Sequence, residues 1–93
     1  MAEDVIEITV RNMVEADLRG IDSHGAGMLP TYNLLRKNGV MIPTGELTVV
    51  REFAATALLD AGNALGHYAT TKAMEMACDR ANEFGVGVVT VRR

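Results

Sequence analysis

The sequence has no tryptophan, and aromatic residues make up only 4% of it. The core must therefore be built from Ala, Val, Leu, Ile and Met, within a hydrophobic share of 48%. Methionine fills gaps but specifies geometry weakly. Cysteine is nearly missing as well. Cys78 stands alone, which excludes an intrachain disulfide and a thiolate metal cluster. A single thiol suits a reducing compartment, so a cytoplasmic location is expected. Positive charge is not in excess, because the net charge is −3. Without a basic patch to neutralise phosphates, no nucleic-acid partner is expected. No apolar run approaches the roughly 18 residues that a membrane span needs, so no membrane partner is expected either. The opening MAEDVIEITVRNM is too acidic for a signal or transit peptide. Ninety-three residues leave room for one small domain.

What the chain does have gathers in one stretch, Ala16 to Tyr32 (ADLRGIDSHGAGMLPTY). Arg19, Asp22, Ser23 and His24 sit there among Gly20, Gly25 and Gly27. Glycine gives the backbone access to positive φ and lets another group approach closely. Pro30 then fixes φ at the start of a helix. No other segment combines this polar density with Gly and Pro, so chemistry is sought first at His24.

Met1 to Leu18 reads as an amphipathic helix whose apolar face carries Ile6, Val10, Met13 and Val14. That reading leaves Val5 and Ile8 uncovered and hints at missing upstream structure. Gly20 to Met28 reads as a connecting loop, and Leu29 to Asn38 as a second helix stopped by Asn38-Gly39. Val40 to Thr44 looks irregular, with a turn at Pro43-Thr44-Gly45. Glu46 to Phe53 and Ala54 to Asp60 read as a β-hairpin, although no Asn-Gly turn fixes its register. A second turn falls at Ala61-Gly62-Asn63. Leu65 to Phe84 reads as the longest helix, with Ala69, Ala73, Ala77 and Ala81 forming a ridge for close packing. Val86 to Val91 reads as a buried final strand. The expected fold class is α+β: two N-terminal helices, a hairpin, one long helix and a last strand. A buried strand at a free end is unusual, so both ends look cut from something larger.

GIDSHGAGMLPTY, followed by LLDAGNALGHYATTKAMEMACDRANEFGVGVVTVR, resembles the malate/L-lactate dehydrogenase family of NAD(P)-dependent oxidoreductases. This is the non-Rossmann type that includes ureidoglycolate dehydrogenase and diketogulonate reductase. Consistently, no Gly-x-Gly-x-x-Gly follows a strand here. The resemblance implies that residues 1–45 form a helical segment bearing the Ser-His-Gly corner. It implies that residues 46–93 begin an αβ cofactor domain. It also implies a continuation into an Asn-Ser-x-His-Phe-Gly stretch, so the chain reads as an N-terminal slice of a longer homodimeric enzyme. By the same resemblance His24 is the catalytic proton donor, and Ser23 and Tyr32 contact substrate. Met28 stands where many members carry arginine, and methionine cannot hold a substrate carboxylate in the bidentate grip that arginine offers.

Simpler readings compete at several positions. Asp22, Ser23 and His24 cannot form a triad, because adjacent side chains do not converge; Asp22 is expected to pair with Arg19. His67 reads as a surface or capping residue, and two histidines so far apart make a poor metal set. Cys78 reads as a small buried helix residue.

The expected function is NAD- or NADP-linked interconversion of 2-hydroxy and 2-oxo acids, inactive in this chain alone. The cofactor-contacting residues are not identified. The alternative is a non-catalytic oligomerisation or partner-binding module, and self-association is expected on either reading.

Overall fold

The computed structural model describes all of residues 1–93. Helix α1 spans Glu3–Leu18, with Glu3 and Asp4 in its first turn, where the helix dipole favours negative charge. The residues it buries are Val5, Thr9 and Met13. This differs from the face that the apolar spacing predicts, since Ile6, Val10 and Val14 are 46%, 52% and 48% exposed. The buried stripe lies one residue to the side because Thr9 can be buried at little cost. Its hydroxyl donates to the Val5 carbonyl at 2.7 Å, so the polar atom is satisfied inside the helix. Val5 is thus covered by this chain's own core.

The segment read as a loop is more ordered than that. It contains two short 3-10 turns, Asp22–His24 and Ala26–Met28, leading directly into α2 (Leu29–Lys37) with Pro30 in its first turn. Gly39, at φ +72°, ends the helix as expected.

Strands β1 (Thr48–Phe53) and β2 (Thr56–Asp60) pair antiparallel. Ala54 and Ala55 form the turn rather than the start of the second strand, and Ala54 adopts φ +49°. The register slips between Val49 and Arg51, so β1 carries an extra residue. Glu46 and Leu47 precede the strand. Helix α3 (Gly66–Phe84) then crosses over to β3 (Val88–Arg92), which pairs parallel with β2. The result is a mixed sheet in the order β1-β2-β3.

The core lies along α3, which packs on β2 and on α1. Leu59 is 2% exposed, and Ala57, Ala61, Leu65, Ala69 and Ala73 surround it in the buried set. The alanine ridge of α3 therefore packs at its first half. Gly85 caps α3 in the left-handed region. A Cβ at Gly87 would overlap the Ala77 carbonyl oxygen, so glycine lets the chain double back against its own helix. Two expectations fail here. β3 is not buried, since Val88 is 50% and Val91 39% exposed: the strand sits at a sheet edge with one face uncovered. Cys78 is exposed rather than buried, because it lies about 140° round the helix from the packed Ala73.

Asp60 closes the crossover. Its buried carboxylate accepts from the Gly62 N–H at 2.8 Å, Arg92 Nε at 3.1 Å and Arg93 Nε at 2.9 Å. These hydrogen bonds, that of Arg93 foremost, hold its pKa down at about 2.

Candidate functional site

The Ser-His-Gly corner is built by α1. Asp17 lies in the last turn of that helix and its Oδ2 accepts the Ala26 N–H at 3.1 Å. Gly25 is buried against this carboxylate, and a Cβ there would overlap Asp17 Oδ1. Gly25 is thus the glycine whose missing side chain admits the group that ties the corner to α1. Arg19 does not pair with Asp22. Its Nε donates to Glu15 Oε1 at 2.6 Å, one helical turn back, a spacing that α1 itself provides.

Ser23 and His24 are exposed at the head of the corner. The Ser23 hydroxyl and His24 Nδ1 are 2.9 Å apart. This contact occupies one ring nitrogen and orients the imidazole, so Nε2 is the nitrogen left to exchange a proton with solvent or a ligand. Tyr32 is half-buried on α2. It borders a cavity of about 240 Å³ between α1 and α2, walled by Ile6, Val10, Met13 and Leu29, with Arg36 at its edge.

A residue that the sequence reading assigns to the surface also belongs to this site. His67, in the first turn of α3, is half-buried and meets Tyr32 edge to face. The ring centroids are 5.5 Å apart and the planes are at 85°. Its Nδ1 is buried with no hydrogen-bond partner. Burial lowers its pKa, and the charge of His24 lowers it further. Leu65, two residues earlier, is apolar and buried, so the first turn of α3 faces inward.

No three His, Cys, Asp or Glu side chains converge to hold a metal ion. Nor do these residues make a cradle for a dinucleotide pyrophosphate. At the β2–α3 junction the ionised Asp60 carboxylate already takes the Gly62 N–H and would repel a phosphate. Gly85 and Gly87 lie at the carbonyl end of α3, where the helix dipole has the wrong sign.

A model of the malate/L-lactate dehydrogenase family matches residues 1–93. The chain belongs to that family. The L-sulfolactate dehydrogenase of Methanocaldococcus jannaschii is 41% identical over 90 residues, covering 97% of this chain and 26% of the relative. Its solved structure superposes with a TM-score of 0.95 over 98% of this chain and 26% of that one. A malate dehydrogenase structure from Entamoeba histolytica gives a TM-score of 0.92 at 36% identity, over 98% and 26% of the two chains. The 2,3-diketo-L-gulonate reductase of Pasteurella multocida is 30% identical over 97% of this chain and 27% of its own length. This member of the malate/L-lactate dehydrogenase family thus spans about a quarter of the length of the relatives it matches. The helices and mixed sheet described above form part of a larger dehydrogenase fold in those relatives.

Proposed function

We propose that this chain carries the proton-transfer and substrate-contact side of an NAD(P)-dependent oxidoreductase that interconverts 2-hydroxy and 2-oxo acids. The observation that carries the reading is the exposed Ser23–His24 pair, with one ring nitrogen engaged at 2.9 Å. A carbonyl reduced to an alcohol needs a proton at its oxygen. His24 supplies it from Nε2 and accepts it back in the oxidative direction, because imidazole can both donate and accept a proton through that nitrogen. Ser23 holds the ring in place. Tyr32 presents its phenol to the substrate. NAD or NADP supplies the hydride in such a reaction, but the residues present do not fit its pyrophosphate, so this chain alone is inactive. The surroundings are cytoplasmic, and the working assembly is a homo-oligomer.

The test is a chimaera in which residues 1–93 replace the matching segment of the M. jannaschii relative. Reduction of 2-oxo acids by NADH or NADPH is expected. His24→Ala should lower kcat about 10²- to 10⁴-fold, the usual worth of a positioned acid. Unchanged kcat in that variant would refute the assignment.

A second reading has its own observation. Leu18 and Phe53 are 78% and 80% exposed, and every residue of β1 is exposed. A non-catalytic oligomerisation module would use such surface. It predicts association without any response to 2-oxo acids.

A further inference from the structure

Helix α2 is held in an unusual way. Its backbone makes no close approach to α1 or α3; it lies against the 3-10 turn before it and the segment after it, whose Val40 and Met41 N–H groups donate to the Leu35 carbonyl. A cavity lies between it and α1. The contact that reaches from α2 to α3 is the ring pair of Tyr32 and His67, at 5.5 Å and 85°. Perpendicular rings at this distance attract through their quadrupoles, and the attraction is lost when either ring turns.

His67 is fitted for holding and not for proton transfer. An imidazolium donates from both nitrogens. Nδ1 of His67 is buried with no acceptor in reach, so the charged form would leave a buried donor unsatisfied. The neutral form, with its proton on Nε2, leaves only a bare acceptor there. The same ring lies close enough to His24 to feel its charge. Of the two imidazoles, the exposed one can exchange protons and the half-buried one is fixed.

We propose that His67 is a positioning residue of this site, whose ring fixes the orientation of Tyr32 and so where the phenol meets a bound 2-oxo acid. The inference rests on the oxidoreductase reading given above, and it adds a residue that acts through another. Loss of the His67 ring frees Tyr32 to rotate and weakens the grip on the acid. A phenylalanine at position 67 keeps the edge-to-face contact and also removes the unpartnered nitrogen.

The experiment is a pyruvate titration of the 93-residue chain followed by NMR, with the ring signals of Tyr32 and the imidazole signals of His24 as readouts. In the wild type both sets are expected to move along one binding curve. In His67→Ala the half-saturating pyruvate concentration should rise about five-fold, the worth of one aromatic pair. His67→Phe should stay within about twofold of wild type by the same reasoning. In a Tyr32→Phe background, His67→Ala should change nothing further, because the phenol through which it acts is gone. A merely structural role would weaken binding equally in both backgrounds. A wild type that shows no response to pyruvate overturns this inference, whereas the oxidoreductase reading stands or falls on the kcat of the chimaera. A wild-type response that His67→Ala leaves unaltered overturns this inference alone. Should His67→Ala fail to fold, a His67→Phe variant that binds pyruvate about five-fold or more weakly than the wild type also overturns it.

Discussion

Asp60 is a buried carboxylate whose side chain is only 5% exposed, yet donors from three residues, Gly62, Arg92 and Arg93, reach it. Its pKa is lowered to about 2 from an ordinary 3.8, first by the Arg93 hydrogen bond and then by the Gly62 N–H, against the opposing effect of burial. The unfolded chain therefore binds the proton at higher pH than the folded one. Stability from this group is complete above about pH 4 and drains away as pH falls toward 2. Thermal melts of the wild type should show Tm declining across that window. Asp60→Asn should melt several degrees lower at pH 7, and the part of the acid slope due to this residue should vanish. Equal acid slopes in the two proteins would show that the cluster is not holding the crossover together. Local pattern marks Asp60 only as the end of a strand, just before the Ala61-Gly62-Asn63 turn. Nothing in the local pattern says that Arg92 and Arg93, 32 and 33 positions away, fold back onto it. His67 was hidden for the same reason: its partner Tyr32 comes from another helix. Asp17 and Gly25 lie eight apart around one corner, and the glycine-rich stretch did point to a close approach there, without naming the carboxylate that makes it.

At the scale of elements, the hairpin holds the clearest strain. Ala54 opens the β1–β2 turn at φ +49°, a region in which an L side chain crowds the backbone. Glycine adopts it freely, at the cost of greater freedom in the unfolded chain. Ala54→Gly should therefore stabilise the chain by about 0.5–1 kcal/mol, raising Tm by roughly 4 °C for a domain of this size. A fall in Tm would mean that the turn relaxes in solution. The order and type of all six main elements could be read from spacing and from glycine, since long periodic runs and left-handed caps are local signals. The faces were harder to read. Thr9 masks the buried stripe of α1 by satisfying its hydroxyl within the helix, so apolar periodicity alone selects the neighbouring stripe. The exposure of β3 is also beyond local reading, because a run of valines fits a buried or an uncovered strand equally well.

At the scale of the molecule, the surface is too large for the chain. A self-contained protein of this mass exposes about 5,200 Å², whereas this chain exposes 6231 Å². Its radius of gyration is 14.3 Å, against about 12 Å for a compact domain of this length. The surplus of about 1,000 Å² is close to the 800 Å² or so that one partner commits to a stable interface. It falls on apolar groups along α1, α2 and β1, including Leu18, Leu34 and Phe53. A second copy can cover that surface wherever this chain is studied by itself, and the association that follows is linked to folding by mass action. Sedimentation should give a mean mass that climbs from one chain toward two as concentration rises. Tm should climb with it. Leu18→Glu and Phe53→Glu remove apolar area from positions that are already more than three-quarters exposed, so they should leave the dilute Tm nearly unchanged while abolishing its concentration dependence. A chain that stays monomeric at millimolar concentration, with a Tm independent of dilution, would show that the surplus surface is tolerated in water and draws no partner.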